Sequence, residues 1–180
     1  MVQILMARRP ERVTRVVLTS CDSFERFFPP LFRPLTALAR VPGSMWPLAQ
    51  ALRLRALHRL PMALGWVAKR PIPQEITDSY LGPARTDRGV RRDLRRFLRG
   101  VHRRHTLAAA KAFPTYRRPV LLVWAQEDRL FPVSLARRLE RLLPDAELRL
   151  VPDSYTFIPE DQPTVLADLV IDFTRSGRVT

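Results

Sequence analysis

Three short stretches of nearly continuous hydrophobic residues stand out along the chain. They are RVVLTSC (Arg15–Cys21), RPVLLVW (Arg118–Trp124) and AELRLVP (Ala146–Pro152). The first two show little polar alternation, which is typical of strands buried on both faces of a parallel sheet. The pattern predicts strands at about residues 15–21, 119–124 and 147–151.

Helical spacing of apolar residues flanks these strands. The chain opens with what looks like the last two turns of a helix ending at Pro10, and a further helix is predicted between the second strand and Pro144. A closing helix is predicted at Pro163–Phe173. Its predicted inward residues are Val165, Leu166, Leu169 and Val170. Strands that alternate with helices indicate parallel pairing through right-handed crossovers.

Residues 22–116 show no strand pattern. Trp46–Val67 is apolar nearly all round and has the length of one helix. A second helix is predicted from a stripe of apolar residues at helical spacing, formed by Val90, Leu94, Phe97, Leu98 and Val101. We therefore predict an all-helical insertion between the first and second strands.

The chain has 180 residues and a net charge of +14, and the excess of positive charge is regional. Residues 1–118 carry 24 basic and 7 acidic residues, whereas residues 119–180 carry 7 and 10. The main candidate for a polyanion contact is a set of arginines off the apolar stripe of the second predicted helix: Arg91, Arg92, Arg95, Arg96, Arg99 and Arg103. No nucleic-acid-binding motif accompanies them, so a solvated helix surface is the favoured interpretation and nucleic acid is not a predicted partner.

The single cysteine, Cys21, excludes a disulfide framework and suits a reducing, cytoplasmic location. No apolar run reaches the ~20 residues that a membrane-spanning helix needs, so no membrane partner is predicted. The sequence also lacks metal-ligand spacing and a glycine-rich phosphate loop. We therefore predict no metal and no cofactor.

The C-terminal motifs resemble a known family. RPVLLVWAQEDRLFP, a predicted helix and LPDAELRLVPDSYTFIPEDQP occur in the order found in the C-terminal third of the α/β-hydrolase fold. They are most similar to the branch of epoxide hydrolases, haloalkane dehalogenases and related esterases. ARRPERVTRVVLTSCDSFERFFPP resembles the helix after the nucleophile elbow, the next strand and the entry to a helical cap. The resemblance covers about residues 3–28 and 117–175.

This resemblance implies a fold class and a division of the chain. The expected architecture is the C-terminal part of an α/β-hydrolase fold, with three parallel strands, packing helices and an all-helical cap. Residues 1–22 would begin the core, residues 23–116 would form the cap, and residues 117–180 would complete the core. The first strand would have an unpaired edge, which predicts self-association or pairing with a partner.

The resemblance places Asp128, in the sequence QED, at the position of the triad acid. Such an acid holds an imidazole in one tautomer and stabilises its charged form. Asp128 could instead cap the helix that begins near Pro132. Asp22, after the first strand, is the alternative acid, because some dehalogenases of the family place theirs there, although it could equally serve a turn.

The family's histidine has no counterpart in this sequence. When Phe157 and the segment Glu160–Pro163 are aligned with the family motif, Thr156 takes the place of the histidine. A threonine hydroxyl cannot accept a proton at neutral pH, so Thr156 cannot act as the general base. We expect Thr156 to donate a hydrogen bond to Asp128 instead.

The nucleophile elbow is also missing, because no G-x-S/D-x-G motif occurs in the chain. His58, His102 and His105 lie in the predicted insertion and are read as surface or packing residues. Two functions remain open. The first is a hydrolase of esters, epoxides or carbon–halogen bonds that acts on a small apolar substrate when an upstream half completes it, and that is inactive alone. The second is a non-catalytic family member that binds a partner or an anionic surface through its arginine-rich cap.

Overall fold

A three-stranded parallel sheet forms the centre of the core. In the computed structural model, which describes residues 2–175, the strands are β1 (Val16–Thr19), β2 (Val120–Ala125) and β3 (Ala146–Val151), in the order β1-β2-β3. Strand β2 lies in the middle and is fully buried. The predicted parallel sheet is confirmed, with each strand within a few residues of its expected bounds. The predicted domain bounds at 1 and 180 fall on Met1 and residues 176–180, outside the described residues.

Ten α-helices surround or extend this sheet within the described residues. Those that accompany the strands are α1 (Val2–Arg8), α8 (Val133–Leu142), α9 (Ile158–Asp161) and α10 (Pro163–Arg175). Those between β1 and β2 are α2 (Arg33–Leu38), α3 (Met45–Ala51), α4 (Arg55–His58), α5 (Gln74–Thr86), α6 (Arg88–Gly100) and α7 (Arg104–Ala110). Short 3₁₀ turns occupy Pro10–Arg12, Pro30–Phe32 and Phe113–Thr115, and a single π-helical turn occupies Pro61–Gly65. We call residues 23–116 the helical segment.

Alternate residues of β2 face two separate hydrophobic clusters. Leu122 and Trp124 face the larger cluster, which includes Met6 of α1 and Leu139 of α8. Leu121 and its neighbours on the other face pack against α9 and α10. The sheet is therefore covered on both faces, as its continuous apolar sequence predicts.

The apolar stretch Trp46–Val67 does not form the single helix expected from its sequence. The chain leaves helical geometry before α4, where Leu54 is extended, and again at Leu60, which has a ψ of 143°. Leu60 precedes Pro61, and a residue before proline is driven toward extended backbone. The stretch therefore divides into α3, α4 and the π turn.

Two amphipathic helices bury fewer of their predicted residues than expected. On α6, Leu98 is 4% exposed, but Phe97 is 58% exposed and Val90 and Leu94 also lie at the surface. On α10 the predicted inward residue Val165 is exposed, and Phe173 is buried instead. The inward orientation predicted for Val165 was therefore wrong, and the apolar stripe of α6 is buried mainly at Leu98. No helix among residues 2–175 is both long and apolar enough to cross a membrane.

Candidate functional site

The loops that leave the carboxyl ends of β2 and β3 meet at the C-terminal end of the sheet. Asp128 lies in the first loop and Thr156 in the second, and the Thr156 hydroxyl donates a hydrogen bond of 2.9 Å to Asp128 Oδ1. The parallel pairing of β2 with β3 brings the two loops together, because neighbouring parallel strands end on the same side of the sheet. The hydrogen bond expected between these residues is present.

The two oxygens of the Asp128 carboxylate have different surroundings. Oδ1 also accepts hydrogen bonds from the backbone amides of Leu130 and Phe131, each 2.8 Å long. Oδ2 is buried and has no hydrogen-bond partner. The loop thus orients the carboxylate firmly through one oxygen and leaves the other without a donor, which is uncommon for a buried polar atom.

A second carboxylate, Asp161, anchors the loop that carries Thr156. Asp161 is 5% exposed and accepts hydrogen bonds from the backbone amides of Lys69, Arg70 and Tyr155, at 2.9–3.0 Å. The Phe157 amide adds a 2.7 Å bond to the Val67 carbonyl. These bonds tie the loop to the helical segment and fix the position of Thr156 between them.

An ion-pair network lies beside this anchor. Lys69 Nζ is 2.7 Å from Glu127 and 2.8 Å from Asp153, and Arg70 also pairs with Asp153. The hydrogen bond from Lys69, with Arg70 adding to it, lowers the pKa of Asp153 below its usual value. Bonds to Asp153 and then to Glu127 raise the pKa of Lys69. Both side chains therefore remain charged at neutral pH, which keeps the two loops and the helical segment joined.

The alternative acid, Asp22, has other partners. Its Oδ1 accepts a 3.0 Å hydrogen bond from the Phe28 amide, and Asp22 makes no hydrogen bond to Asp128 or Thr156 among the described residues. Phe28 has a φ of +60°, in the left-handed region, so the Asp22 side chain supports a tight turn there. Burial raises the pKa of Asp22 above its usual value.

Ser20, Ser154 and Cys21 carry groups that could in principle act as nucleophiles, but each is engaged in the core. Ser20 Oγ accepts a bond from the Ala125 amide, and Ser154 Oγ donates to the Val151 carbonyl. Burial raises the pKa of the Cys21 thiol to about 12, so Cys21 is protonated at neutral pH and a poor nucleophile.

The three histidines all lie in the helical segment, away from Asp128. His58 Nε2 is 2.7 Å from the Leu52 carbonyl, and His102 Nδ1 accepts a bond from the Arg104 amide. His105 stacks edge-on against Phe27. Within residues 2–175, no histidine contacts Asp128.

The arginines of α6 differ in how available they are. Arg95 donates to the Ala39 and Arg40 carbonyls, and Arg91 donates to two carbonyls at the end of α5. Arg91 and Arg95 thus hold neighbouring helices together, whereas Arg92 and Arg96 are exposed and pair only with Asp93. The arginines considered as a candidate polyanion contact therefore include residues that make structural contacts within the chain.

Sequence reasoning missed Asp161, the Lys69 network and a basic cleft in the helical segment. The cleft has a volume of about 780 Å³ and is lined by residues of α4, the π turn and α5. The only signal in the sequence was the EDQP motif, in which nothing distinguishes Asp161 from an ordinary surface aspartate. Nothing in the sequence indicates that Asp161 reaches residues 69 and 70.

Comparison with known proteins agrees with this architecture. No protein-family model matches the chain. The chain is 29% identical over 107 residues to the "Uncharacterized hydrolase YugF" of Bacillus subtilis strain 168, which covers 59% of this chain and 38% of that protein. It superposes on the haloalkane dehalogenase DbeA of Bradyrhizobium elkani USDA94 with a TM-score of 0.71 and 19% identity, covering 97% of this chain and 63% of DbeA. It superposes on an α/β-hydrolase-fold protein of Burkholderia ambifaria with a TM-score of 0.73 and 19% identity, covering 94% of this chain and 61% of that protein.

These similarities establish the class of fold. The chain has a partial α/β-hydrolase fold that corresponds to the C-terminal portion, as its sequence predicts. It spans less than two thirds of the length of each of these three proteins.

Proposed function

We propose that this chain is the acid-bearing portion of an α/β hydrolase that acts on an ester, epoxide or carbon–halogen bond. Asp128 takes the role of the triad acid, and the helical segment, residues 23–116, serves as the cap over a small apolar substrate. The nucleophile and the oxyanion hole would come from an upstream segment. The proposed location is the cytoplasm, because a chain with a single cysteine, Cys21, has no internal disulfide framework.

The observation that supports the proposal is the geometry of the Asp128 carboxylate. A triad acid must be held by its loop and must offer an oxygen to an imidazole N–H. Asp128 is held through Oδ1 by two backbone amides and Thr156, and its buried Oδ2 lacks a donor. An acid position without its histidine would have this arrangement.

Thr156 keeps the shape of the site without its chemistry. Its hydroxyl proton is directed at Asp128, so the side chain acts as a donor and cannot remove a proton from a nucleophile or from water. We therefore propose that the chain alone does not catalyse hydrolysis.

The first test is an assay of the purified chain with 4-nitrophenyl butyrate. We expect the rate to equal that of buffer, both for the native chain and for Asp128→Asn. Turnover that survives Asp128→Asn would overturn the proposal, because the reaction would not depend on the proposed acid. In-frame translation of the DNA upstream of Met1 supplies an independent test, since the proposal expects a strand followed by G-x-S/D-x-G.

The second test restores the missing groups. The N-terminal part of the Burkholderia ambifaria protein, which this chain does not cover, is fused to this chain with and without Thr156→His. A fusion that melts cooperatively should turn over the ester only with Thr156→His, and Asp128→Asn should abolish that activity. Equal activity with Thr156 in place would show that the base lies elsewhere.

A second candidate function is binding of an anionic partner by the helical segment. It is favoured by exposed arginines on α6, such as Arg99, that have no hydrogen-bond or ion-pair partner among residues 2–175. Binding to heparin at physiological salt that is lost on Arg92→Gln and Arg96→Gln would support it. Variants of Arg91 and Arg95 are unsuitable for this test because those residues join helices.

A further inference from the structure

The helical segment contains a cleft of about 780 Å³ whose lining is strongly basic. In the described part of the chain, the cleft is lined by one acidic residue, Asp78, and by six residues that are positively charged at neutral pH. The six are Arg53, Arg55, Arg59, Lys69, Arg70 and Arg85. They come from α4, the segments beside it and α5, so the fold and not a sequence run gathers them.

Half of these positive charges are neutralised within the chain. Lys69 and Arg70 pair with Asp153 at the edge of the core, and Arg85 pairs with Asp78 at 2.9 Å. These three residues therefore have structural roles that do not require a ligand.

The other charges lack such compensation. The side chains of Arg53 and Arg59 are exposed and have no hydrogen-bond or ion-pair partner among residues 2–175. The Arg55 side chain makes no hydrogen bond there either, although it lies near enough to Asp78 to assist Arg85 in lowering the pKa of that carboxyl. Arg85 Nε is buried and has no acceptor. Guanidinium groups without acceptors and a buried N–H donor without a partner are groups that an anion can accept hydrogen bonds from.

The cleft also has an apolar wall, formed by Leu64, Pro71 and Ile72. Its volume lies within the range of roughly 300–1,000 Å³ that is typical of small-molecule sites. Arginine recognises carboxylate and phosphate groups through paired N–H donors, and apolar residues accommodate the body of an organic ligand. The lining therefore suits a molecule with one anionic end and one apolar end.

We propose that this cleft binds a small organic anion, with its phosphate or carboxylate group held by Arg53, Arg55 and Arg59 and its apolar body against Leu64 and Ile72. The proposal does not depend on hydrolase activity, because neither Asp128 nor Thr156 lines the cleft. A binding experiment can therefore succeed or fail independently of any turnover.

The test uses a matched set of ligands with the full chain in isothermal titration calorimetry. Octyl phosphate and octanoate carry the two anionic groups, octanol carries the apolar body alone, and inorganic phosphate carries the anionic group alone. All are used below the concentration at which they form micelles. We expect at least one of the two organic anions to bind at least tenfold more tightly than both octanol and inorganic phosphate, with an affinity that falls as NaCl is added. The stronger of the two organic anions identifies the preferred group.

The matched variants separate this cleft from general attraction to a basic protein. Arg53→Gln combined with Arg59→Gln should weaken the organic anion about tenfold or more, and the thermal melt should stay cooperative because neither side chain has a partner to lose. Arg137→Gln combined with Arg141→Gln removes the same charge from the exposed surface of α8, outside the helical segment, and should change the affinity less than twofold.

Three results would overturn the proposal. One is the absence of binding by either organic anion at millimolar concentration. Another is equal binding of octanol and the anions, which would show that only the apolar wall is used. The third is an equal loss of affinity in the two double variants, which would show that the attraction is due to net charge alone.

Discussion

Backbone amides orient the carboxylate of Asp128 without the help of a catalytic partner. Two amides of its own loop and the Thr156 hydroxyl converge on Oδ1. Hydrogen bonds to an ionised group are stronger than neutral ones, so these three contacts hold the loop as well as the side chain. Asp128 therefore contributes to stability whether or not it contributes to chemistry.

The bond between Asp128 and Thr156 can be measured with a double-mutant cycle. Thr156→Val should lower the free energy of unfolding by about 1–2 kcal/mol, because the hydroxyl that donates to the carboxylate is lost. Asp128→Ala should cost about 2–3 kcal/mol, because two backbone amides lose their acceptor as well. The coupling energy from urea unfolding of the single and double variants should be about 1 kcal/mol.

Thr156→Ser serves as the control in this cycle, because it retains the hydroxyl and should retain most of the stability. Additive effects of Asp128→Ala and Thr156→Val, within about 0.3 kcal/mol, would show that the hydrogen bond makes no net contribution.

Asp22 should make stability depend on pH in the opposite sense to a salt-bridged acid. Burial raises the pKa of Asp22 in the folded chain, so its ionised form is disfavoured there relative to the unfolded chain. Its contribution to stability is complete below the ordinary aspartate pKa of about 3.9 and is lost as the pH rises through the folded pKa. Asp22→Asn should therefore stabilise the chain at pH 7, with a gain that shrinks as the pH falls toward 4.

Chemical denaturation of Asp22→Asn and the native chain at a series of pH values measures this effect. The asparagine side chain still offers an oxygen to the Phe28 amide, so the turn is preserved. A stability difference that stays constant between pH 4 and pH 8 would contradict the raised pKa.

The sequence identified those site residues that belong to a motif whose parts follow one another in a known order. The order of strand, acid loop, helix, strand and EDQP singled out Asp128 and Thr156. It also led to the expectation that Thr156 donates a hydrogen bond to Asp128. Asp161 could not be placed in this way, because its amide donors at Lys69 and Arg70 are about 90 residues away in sequence. The basic cleft was missed for the same reason.

At the level of elements, predictability depended on how completely an element is buried. Strand β2 is buried along its whole length, so its continuous apolar sequence was sufficient to identify it. The stretch Trp46–Val67 is also largely apolar, but its backbone becomes extended at Leu54 and again at Leu60, before Pro61, so it does not form one helix. Helix α6 was located correctly, but Phe97 is exposed on it, because apolar spacing gives a face and does not show what covers that face.

The π turn at Pro61–Gly65 requires glycine at its last position. A Cβ atom on Gly65 would lie 2.1 Å from the Arg59 carbonyl oxygen, well inside van der Waals contact with the backbone. The Gly65 amide also donates to the Leu60 carbonyl, which closes the turn. Because both Arg59 and Gly65 line the basic cleft, this close approach helps to define the shape of the cleft.

Gly65→Ala should therefore lower the free energy of unfolding by about 1–3 kcal/mol, since the backbone must shift to make room for the methyl group. Urea unfolding measures the loss, and proton exchange of the backbone amide at this position, compared between the native chain and the variant, reports whether the turn has opened. The matched control is Gly82→Ala in α5, where a Cβ meets nothing within 4 Å.

Gly82→Ala should stabilise the chain by about 0.5–1 kcal/mol, because alanine restricts the unfolded chain and favours the helix. If the two substitutions change stability in the same direction, the close contact at Gly65 does not exist in solution.

At the scale of the whole molecule, β1 leaves one edge of the sheet open among the described residues. The Val16 and Ser20 amides donate to β2 and the residues beside it, so the alternating pattern of a parallel ladder directs the amides of Val17 and Thr19 to the other side. An unpaired row of backbone donors and acceptors on an apolar strand is a template for pairing with another chain. Exposed Val165 and Ile171 on α10 offer a second, purely hydrophobic route to association.

Two lysine substitutions distinguish these routes. Thr19→Lys places a charge on the open strand and should shift the chain toward monomer in sedimentation velocity at two protein concentrations, because charged edge residues oppose strand pairing. Thr164→Lys adds the same charge beside Val165 on α10 and should leave strand-mediated association unchanged. A larger effect of Thr164→Lys would assign the contact to the helix. A native chain that sediments as a monodisperse monomer and melts cooperatively would show that the open edge of β1 is protected without a partner.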